Sequence, residues 1–132
     1  MTDKVMIYKI MTKKVISCSP EDTVDKVASK MVKNHIGVLV VMNGTGGLVG
    51  IVTERDIIKK VVSKKLSVID TKVKSVMSKN VITGELNMTD IEVATLFSKK
   101  HIKKLPILDK GKVVGMITQT DLMKVLSLKW AL

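Results

Sequence analysis

Short apolar runs alternate along this chain with stretches in which apolar residues recur every three or four positions, and the whole alternation occurs twice. The runs at 15–18, 38–42 and 48–52 are too short for helices and read as strands. The last two flank a glycine-rich turn and form a predicted hairpin. Between the first run and the hairpin, Val24, Val27, Ala28, Met31 and Val32 fall on one face of a helix. Ser19, followed by Pro20 and Asp22, marks its start, with Asp22 a competing cap. A second helix is predicted from about 54 to 62. The second half repeats the scheme, with strands at 81–83, 105–108 and 113–117 and helices at 90–100 and from 119 to about 126.

The repetition extends to the residues themselves. Ile10-Met11-Thr12-Lys13-Lys14-Val15-Ile16 is matched by Val76-Met77-Ser78-Lys79-Asn80-Val81-Ile82, and His35-Ile36 by His101-Ile102. Gly50-Ile51-Val52-Thr53-Glu54-Arg55-Asp56 is matched by Gly115-Met116-Ile117-Thr118-Gln119-Thr120-Asp121. The fold class expected is α/β (α+β), two β-α-β-β-α repeats. The first spans 1–66 with its lead-in; the second spans 67–132 with a connector and a C-terminal tail. A repeat of about 60 residues is marginal alone, and its strands are apolar in runs rather than alternating, so both sheet faces need cover. The copies are therefore expected to pack on each other. The connector, 63–75, is polar and lysine-rich, without the composition of a loose tether.

Composition narrows the chemistry. Aromatic residues are only 2% of the chain, so the core is aliphatic and a groove that stacks single-stranded bases is hard to build. The single cysteine, Cys18, has no partner for a disulfide or a zinc site, which fits a reducing, cytoplasmic location. No secretory signal is expected at the start, and no apolar run is long enough to span a bilayer. The formal net charge of +11 favours anionic partners, and it is shared evenly by the two halves. Nucleic-acid binding is a possible but secondary reading of it, beside an ordinary solvated surface.

The motif that bears chemistry is Gly-apolar-apolar-Thr-x-x-Asp, present twice, where a strand ends and a helix begins. Unpaired amides and the positive end of the helix dipole favour an anion there. A threonine hydroxyl can reach a phosphate or sugar, and an ionised aspartate can accept both hydroxyls of a ribose. The same spacing also suits a capping box, with Thr53 as N-cap and Asp56 at the third helical position. Both readings stay open on sequence.

Together with Ser19-Pro20-Glu21-Asp22-Thr23-Val24 and Lys104-Leu105-Pro106-Ile107-Leu108-Asp109, these motifs resemble a tandem cystathionine-β-synthase (CBS) domain pair, or Bateman module, over roughly residues 5–128. No further domain is expected beside the pair. The resemblance implies a regulatory module without catalysis of its own. It would bind AMP, ADP, ATP or an S-adenosyl compound, form a homodimer, and act on a regulated partner protein of unknown identity. It also implies repeats packed with pseudo-twofold symmetry and two ligand clefts related by it. The first would draw on Thr53, Arg55, Asp56, Val81, Ile82, Lys103 and Lys104; the second, weaker for phosphates, on Ile16, Gly37, Val38, Thr118 and Asp121. Arg55, Lys103 and Lys104 give the first set three cations, while the second has none. The other readings are a basic nucleic-acid-binding protein and a structural adaptor with degenerate clefts.

The remaining conspicuous residues are assigned duller roles. His35 and His101 lack companion ligands and are read as structural, and no Ser/His/Asp set or carboxylate pair marks a catalytic centre. Trp130 is expected to cover a dimer contact or to pack on its own chain, and Lys99, Lys100, Lys103 and Lys104 form a rim suited to phosphate or to solvent.

Overall fold

The structure, a computed structural model, describes residues 3–129. The expectation for Trp130 lies outside them. Within this range the chain forms two compact units that do not coincide with the sequence halves 1–66 and 67–132. One is contiguous, residues 16–81; the other is composite, joining the lead-in up to Val15 to the chain from Ile82 onward. The lead-in of the first repeat thus packs with the second, and the connector packs with the first.

The contiguous unit runs β1 (Ser17–Cys18), α1 (Val24–Asn34), β2 (Val38–Met42), β3 (Leu48–Thr53) and α2 (Glu54–Ile57), which continues as a π-helical turn over Ile58–Val62. The composite unit runs β4 (Gly84–Glu85), α3 (Asp90–Lys100), β5 (Lys104–Asp109), β6 (Lys112–Thr118) and α4 (Gln119–Lys129). Each sheet has three strands in sequence order. The first two are parallel because a helix crosses between them, and the hairpin pair is antiparallel. The expected β-α-β-β-α order holds in both.

Two details depart from the sequence reading. Neither Ser19 nor Asp22 caps α1. Thr23 is its N-cap, but its hydroxyl accepts from no helix amide and donates instead to the Asp25 carboxylate, while the Asp22 carboxylate turns back to accept from the Ser19 amide at 2.9 Å. The connector caps the helix instead: the amides of Val24 and Asp25 donate to the carbonyls of Thr71 and Val68 at 2.9 and 3.0 Å. The strand expected at 81–83 also forms later, at Gly84–Glu85. In the first copy the Val40 amide donates to the Ile16 carbonyl and prolongs the β1–β2 pairing. The equivalent position in β5 is Pro106, which has no N–H to offer Ile82.

The cores explain the apolar runs. Val38 through Val41 are all buried, so β2 is covered on both faces. In the contiguous unit, Val24, Val27 and Met31 of α1 meet Leu39, Val41, Val52, Ile57 and Val61, with Val73 and Val76 of the connector closing the cluster. In the composite unit, Ile7 of the lead-in joins Val93, Phe97, Leu105, Ile107, Ile117 and Leu122. Burying a side chain of this size is worth about 1.5–3 kcal/mol, so the lead-in and connector are part of the fold rather than tethers.

Candidate functional site

The last strand of each unit is crossed by a two-residue bridge. In the contiguous unit, Ile51 and Ser78 exchange backbone hydrogen bonds of 3.0 and 2.9 Å; in the composite unit, Thr12 and Met116 do so at 2.9 Å each way. The recurring Met-Thr and Met-Ser dipeptides make these crossings, and the motif glycines accommodate them. A Cβ on Gly50 would stand 3.0 Å from Met77 Cγ and 3.0 Å from the Ser78 carbonyl oxygen, while one on Gly115 would stand 2.9 Å from Met11 Cγ. The glycine that opens the motif therefore serves packing, three residues ahead of the threonine.

At the strand end, Thr53 and Asp56 form a complete capping box. The Asp56 amide donates to Thr53 Oγ1 at 3.1 Å, and Asp56 Oδ2 accepts from the Thr53 amide at 2.9 Å and from its hydroxyl at 3.0 Å. Asp56 Oδ1 pairs with Lys60 Nζ at 3.1 Å, one turn on, an i,i+4 partner the sequence reading overlooked although the spacing displays it. Thr118 and Asp121 reproduce the box: the Thr118 amide donates to Asp121 Oδ2 at 2.8 Å and the Asp121 amide to Thr118 Oγ1 at 3.2 Å. Val125 occupies the position equivalent to Lys60, and among the described residues Asp121 has no ion-pair partner. A carboxylate offers about four acceptor positions. Asp56 commits three of them and Asp121 one, so Asp121 holds the more open carboxylate.

Of the first expected set, Thr53, Arg55, Asp56 and Val81 belong to the contiguous unit and Ile82, Lys103 and Lys104 to the composite one. Of the second, Ile16, Gly37 and Val38 are in the contiguous unit and Thr118 and Asp121 in the composite one. Within the contiguous unit, Val38 lies opposite Thr53 and the Gly37 carbonyl accepts from the Glu54 amide at 2.9 Å. Within the composite unit, Lys104 lies opposite Thr118 and the Lys103 carbonyl accepts from the Gln119 amide at 2.8 Å. Ile16 and Ile82 pack at the edges of their units' cores, and Val81 is half-buried. Arg55 and Lys103 are exposed, and neither has an ion-pair partner among the described residues.

The other candidates resolve into structural roles. His35 and His101 terminate α1 and α3 in the left-handed conformation, each with φ 54°. Burial and the Asp22 carboxylate push the Cys18 thiol up to about 11, Lys30 countering only in part, which keeps it protonated and poorly nucleophilic at neutral pH. Among the described residues no group of three His, Cys, Asp or Glu side chains could hold a metal ion, and no helix is long and apolar enough to cross a membrane.

Two β-α-β-β-α modules in tandem, each with a Thr–Asp corner at its hairpin exit, define the class of protein. The CBS-domain family profile matches residues 7–63 and 73–128, and the chain belongs to that family. An uncharacterized protein of Methanopyrus kandleri is 36% identical over 122 residues, 92% of this chain and 62% of that one. The chain spans still less of two relatives from Methanocaldococcus jannaschii: 22% of an inosine-5′-monophosphate dehydrogenase and 31% of an uncharacterized protein. Among solved structures, a conserved protein of Pyrococcus horikoshii superposes with a TM-score of 0.87 at 34% identity, covering 96% of this chain and 95% of that one. The CBS domain pair of protein MJ0100, in complex with 5′-methylthioadenosine and S-adenosyl-L-methionine, superposes with a TM-score of 0.87 at 27% identity, covering 96% of this chain and 99% of that one.

Proposed function

We propose that this CBS pair is a regulatory module that binds an adenosine ligand and passes its occupancy to a regulated partner protein, with no catalysis of its own. The observation that carries the reading is where the two copies keep the same corner. At the starts of α1 and α3 they differ: Thr23 makes no cap bond, whereas Thr89 and Glu92 form a capping box. At the starts of α2 and α4, both keep threonine with aspartate three residues on. A cap needs only an acceptor and tolerates glutamate, as α3 shows; the shorter aspartate also suits a bidentate hold on ribose hydroxyls. The ligands named for the MJ0100 pair support an adenosine compound.

In this proposal Thr53, Arg55 and Asp56, with Val81, Ile82, Lys103 and Lys104, serve a phosphorylated nucleotide such as AMP, ADP or ATP. Ile16, Gly37, Val38, Thr118 and Asp121 serve a less charged adenosine ligand. A homodimer would carry the signal, by ligand binding that favours one arrangement of the assembly over another. The test is a thermal-shift series with AMP, ADP, ATP, NAD and S-adenosylmethionine on the wild type, Asp56→Ala, Asp121→Ala and Thr89→Ala. Losing a cap lowers the melting point of all three variants, so the readout is the increment on adding ligand. Asp56→Ala should lose the increment given by phosphorylated nucleotides, Asp121→Ala the increment given by S-adenosylmethionine, and Thr89→Ala should keep both. No increment with any ligand on the wild type refutes the reading.

A further inference from the structure

The amides of Glu54 and Gln119, each the first residue of its helix, donate to the carbonyls of Gly37 and Lys103. The two residue pairs therefore hold the same place in the two units, but their charges are opposite. One pair is glycine with a carboxylate; the other is a lysine with a neutral amide. The Glu54 side chain folds back over the glycine, so that a Cβ on Gly37 would stand 2.7 Å from Oε1 and 2.8 Å from Cδ. The carboxylate has no ion-pair partner among the described residues. It stands on the wall of an open hollow of about 400 Å³, whose other lining residues are Met31, Val32, His35, Ile36 and Gly37.

We propose that Glu54 is a specificity residue of the Gly37–Val38 site, selecting an adenosine ligand whose outer group is cationic and apolar, such as a sulfonium or an alkylammonium, and rejecting a phosphate. The hollow supplies what such a group needs. Met31, Val32 and Ile36 offer apolar contact to the carbons around the charge, and Glu54 offers an unneutralised negative charge. A phosphate brought to the same wall meets like charge, whereas at Lys103 and Gln119 it meets a cation and an amide donor. The inference rests on the assignment of Gly37 and Val38 to an adenosine site and adds the residue that sets its charge preference.

The test uses three ligands that share adenosine and differ at the 5′ end: 5′-methylthioadenosine, neutral; S-adenosylmethionine, a sulfonium; and AMP, an anion. Each is titrated calorimetrically into the wild type and Glu54→Gln, a substitution that keeps the size of an exposed side chain. S-adenosylmethionine should weaken roughly three- to fivefold in the variant, the change expected of one solvent-accessible charge pair. Methylthioadenosine should stay within about twofold, and AMP should tighten. If methylthioadenosine binds both proteins but the ratio of the S-adenosylmethionine to methylthioadenosine constants is unchanged, the role of Glu54 is refuted and the adenosine reading stands. If no ligand binds either protein, both fall.

Discussion

Among the described residues Asp90 is the one buried charged residue, and it holds three segments of the composite unit together. Its Oδ1 accepts from the amides of Val5, in the lead-in, at 3.1 Å and of Ile91 at 2.9 Å, and its Oδ2 pairs with Lys129 at the end of α4. The pair is well shielded, the side chains retaining 7% and 19% of their exposure. Substituting Lys129→Met removes the ammonium while leaving the carboxylate inside. An uncompensated buried charge costs about 3–5 kcal/mol; two backbone donors remain on Asp90, which brings the expectation to about 2–3 kcal/mol.

The effect should depend on pH in a way an ordinary packing defect does not. In the wild type burial works to raise the Asp90 pKa, but the bonds from Lys129, Val5 and Ile91 outweigh it and hold the carboxyl below its ordinary 3.8. Its contribution is therefore present above that value and is lost as pH falls through the lower, folded-state pKa. Without Lys129 the largest influence left is burial, the folded-state pKa rises, and protonation relieves the defect. Urea unfolding of wild type and Lys129→Met between pH 7 and pH 3 should show curves that are well separated at neutral pH and converge in acid. A difference under about 0.5 kcal/mol at pH 7 would place Lys129 among exposed pairs, and a difference independent of pH would assign the loss to packing; either result refutes the argument.

Other expectations follow from the same structure. Gly50→Ala should cost about 1–3 kcal/mol and more than Gly115→Ala. Its new Cβ meets the Ser78 carbonyl as well as Met77, whereas at Gly115 the nearest atoms all belong to the flexible Met11 side chain; paired urea titrations compare them. His35→Gly should stabilise the protein by up to about 1 kcal/mol by relieving a left-handed non-glycine residue, and a loss on chemical unfolding would instead give the imidazole a packing role. A fragment of residues 16–81 should show cooperative unfolding and dispersed amide resonances. A fragment of 67–132 should not, because Ile7 and the Val5 contacts of the composite unit lie outside it.

The hairpins and four helices were legible because each rests on local signals: an apolar run, a 3.6-residue period, a glycine-rich turn. The capping box was legible for the same reason, its partners being three residues apart. What sequence patterning missed is carried by backbone groups distant in sequence. Val24 donates to Thr71 and Asp90 to Val5, and neither bond requires a particular side chain at either end. The shift of β4 was partly readable, since Pro106 cannot donate where Val40 does, but its meaning depended on knowing which carbonyl stands opposite. Glu54 and Lys60 carry no signal of their own in the Thr-x-x-Asp pattern, which specifies neither position. The matched motifs already set Glu54 against Gln119, and the same offset four residues beyond Asp56 sets Lys60 against Val125.

The repeat in sequence and the unit in space are out of phase: Met11-Thr12 crosses β6 in the second copy, and Met77-Ser78 crosses β3 in the first. Each repeat thus lends its opening segment to the last hairpin strand of the other. The buried Ile7 and Val73 on those segments help close the respective cores. A single repeat with its own lead-in would leave that strand uncrossed and its motif glycine unexplained, which is a physical reason for the modules to occur as a pair. The constraint acts on the scaffold and leaves the corners free to diverge. The Thr–Asp geometry is held on both sides by the capping box, while the charges around it, at Gly37 and Lys103, Glu54 and Gln119, Arg55 and Thr120, differ between copies. The backbone is duplicated under mutual constraint; the chemistry is set one side chain at a time.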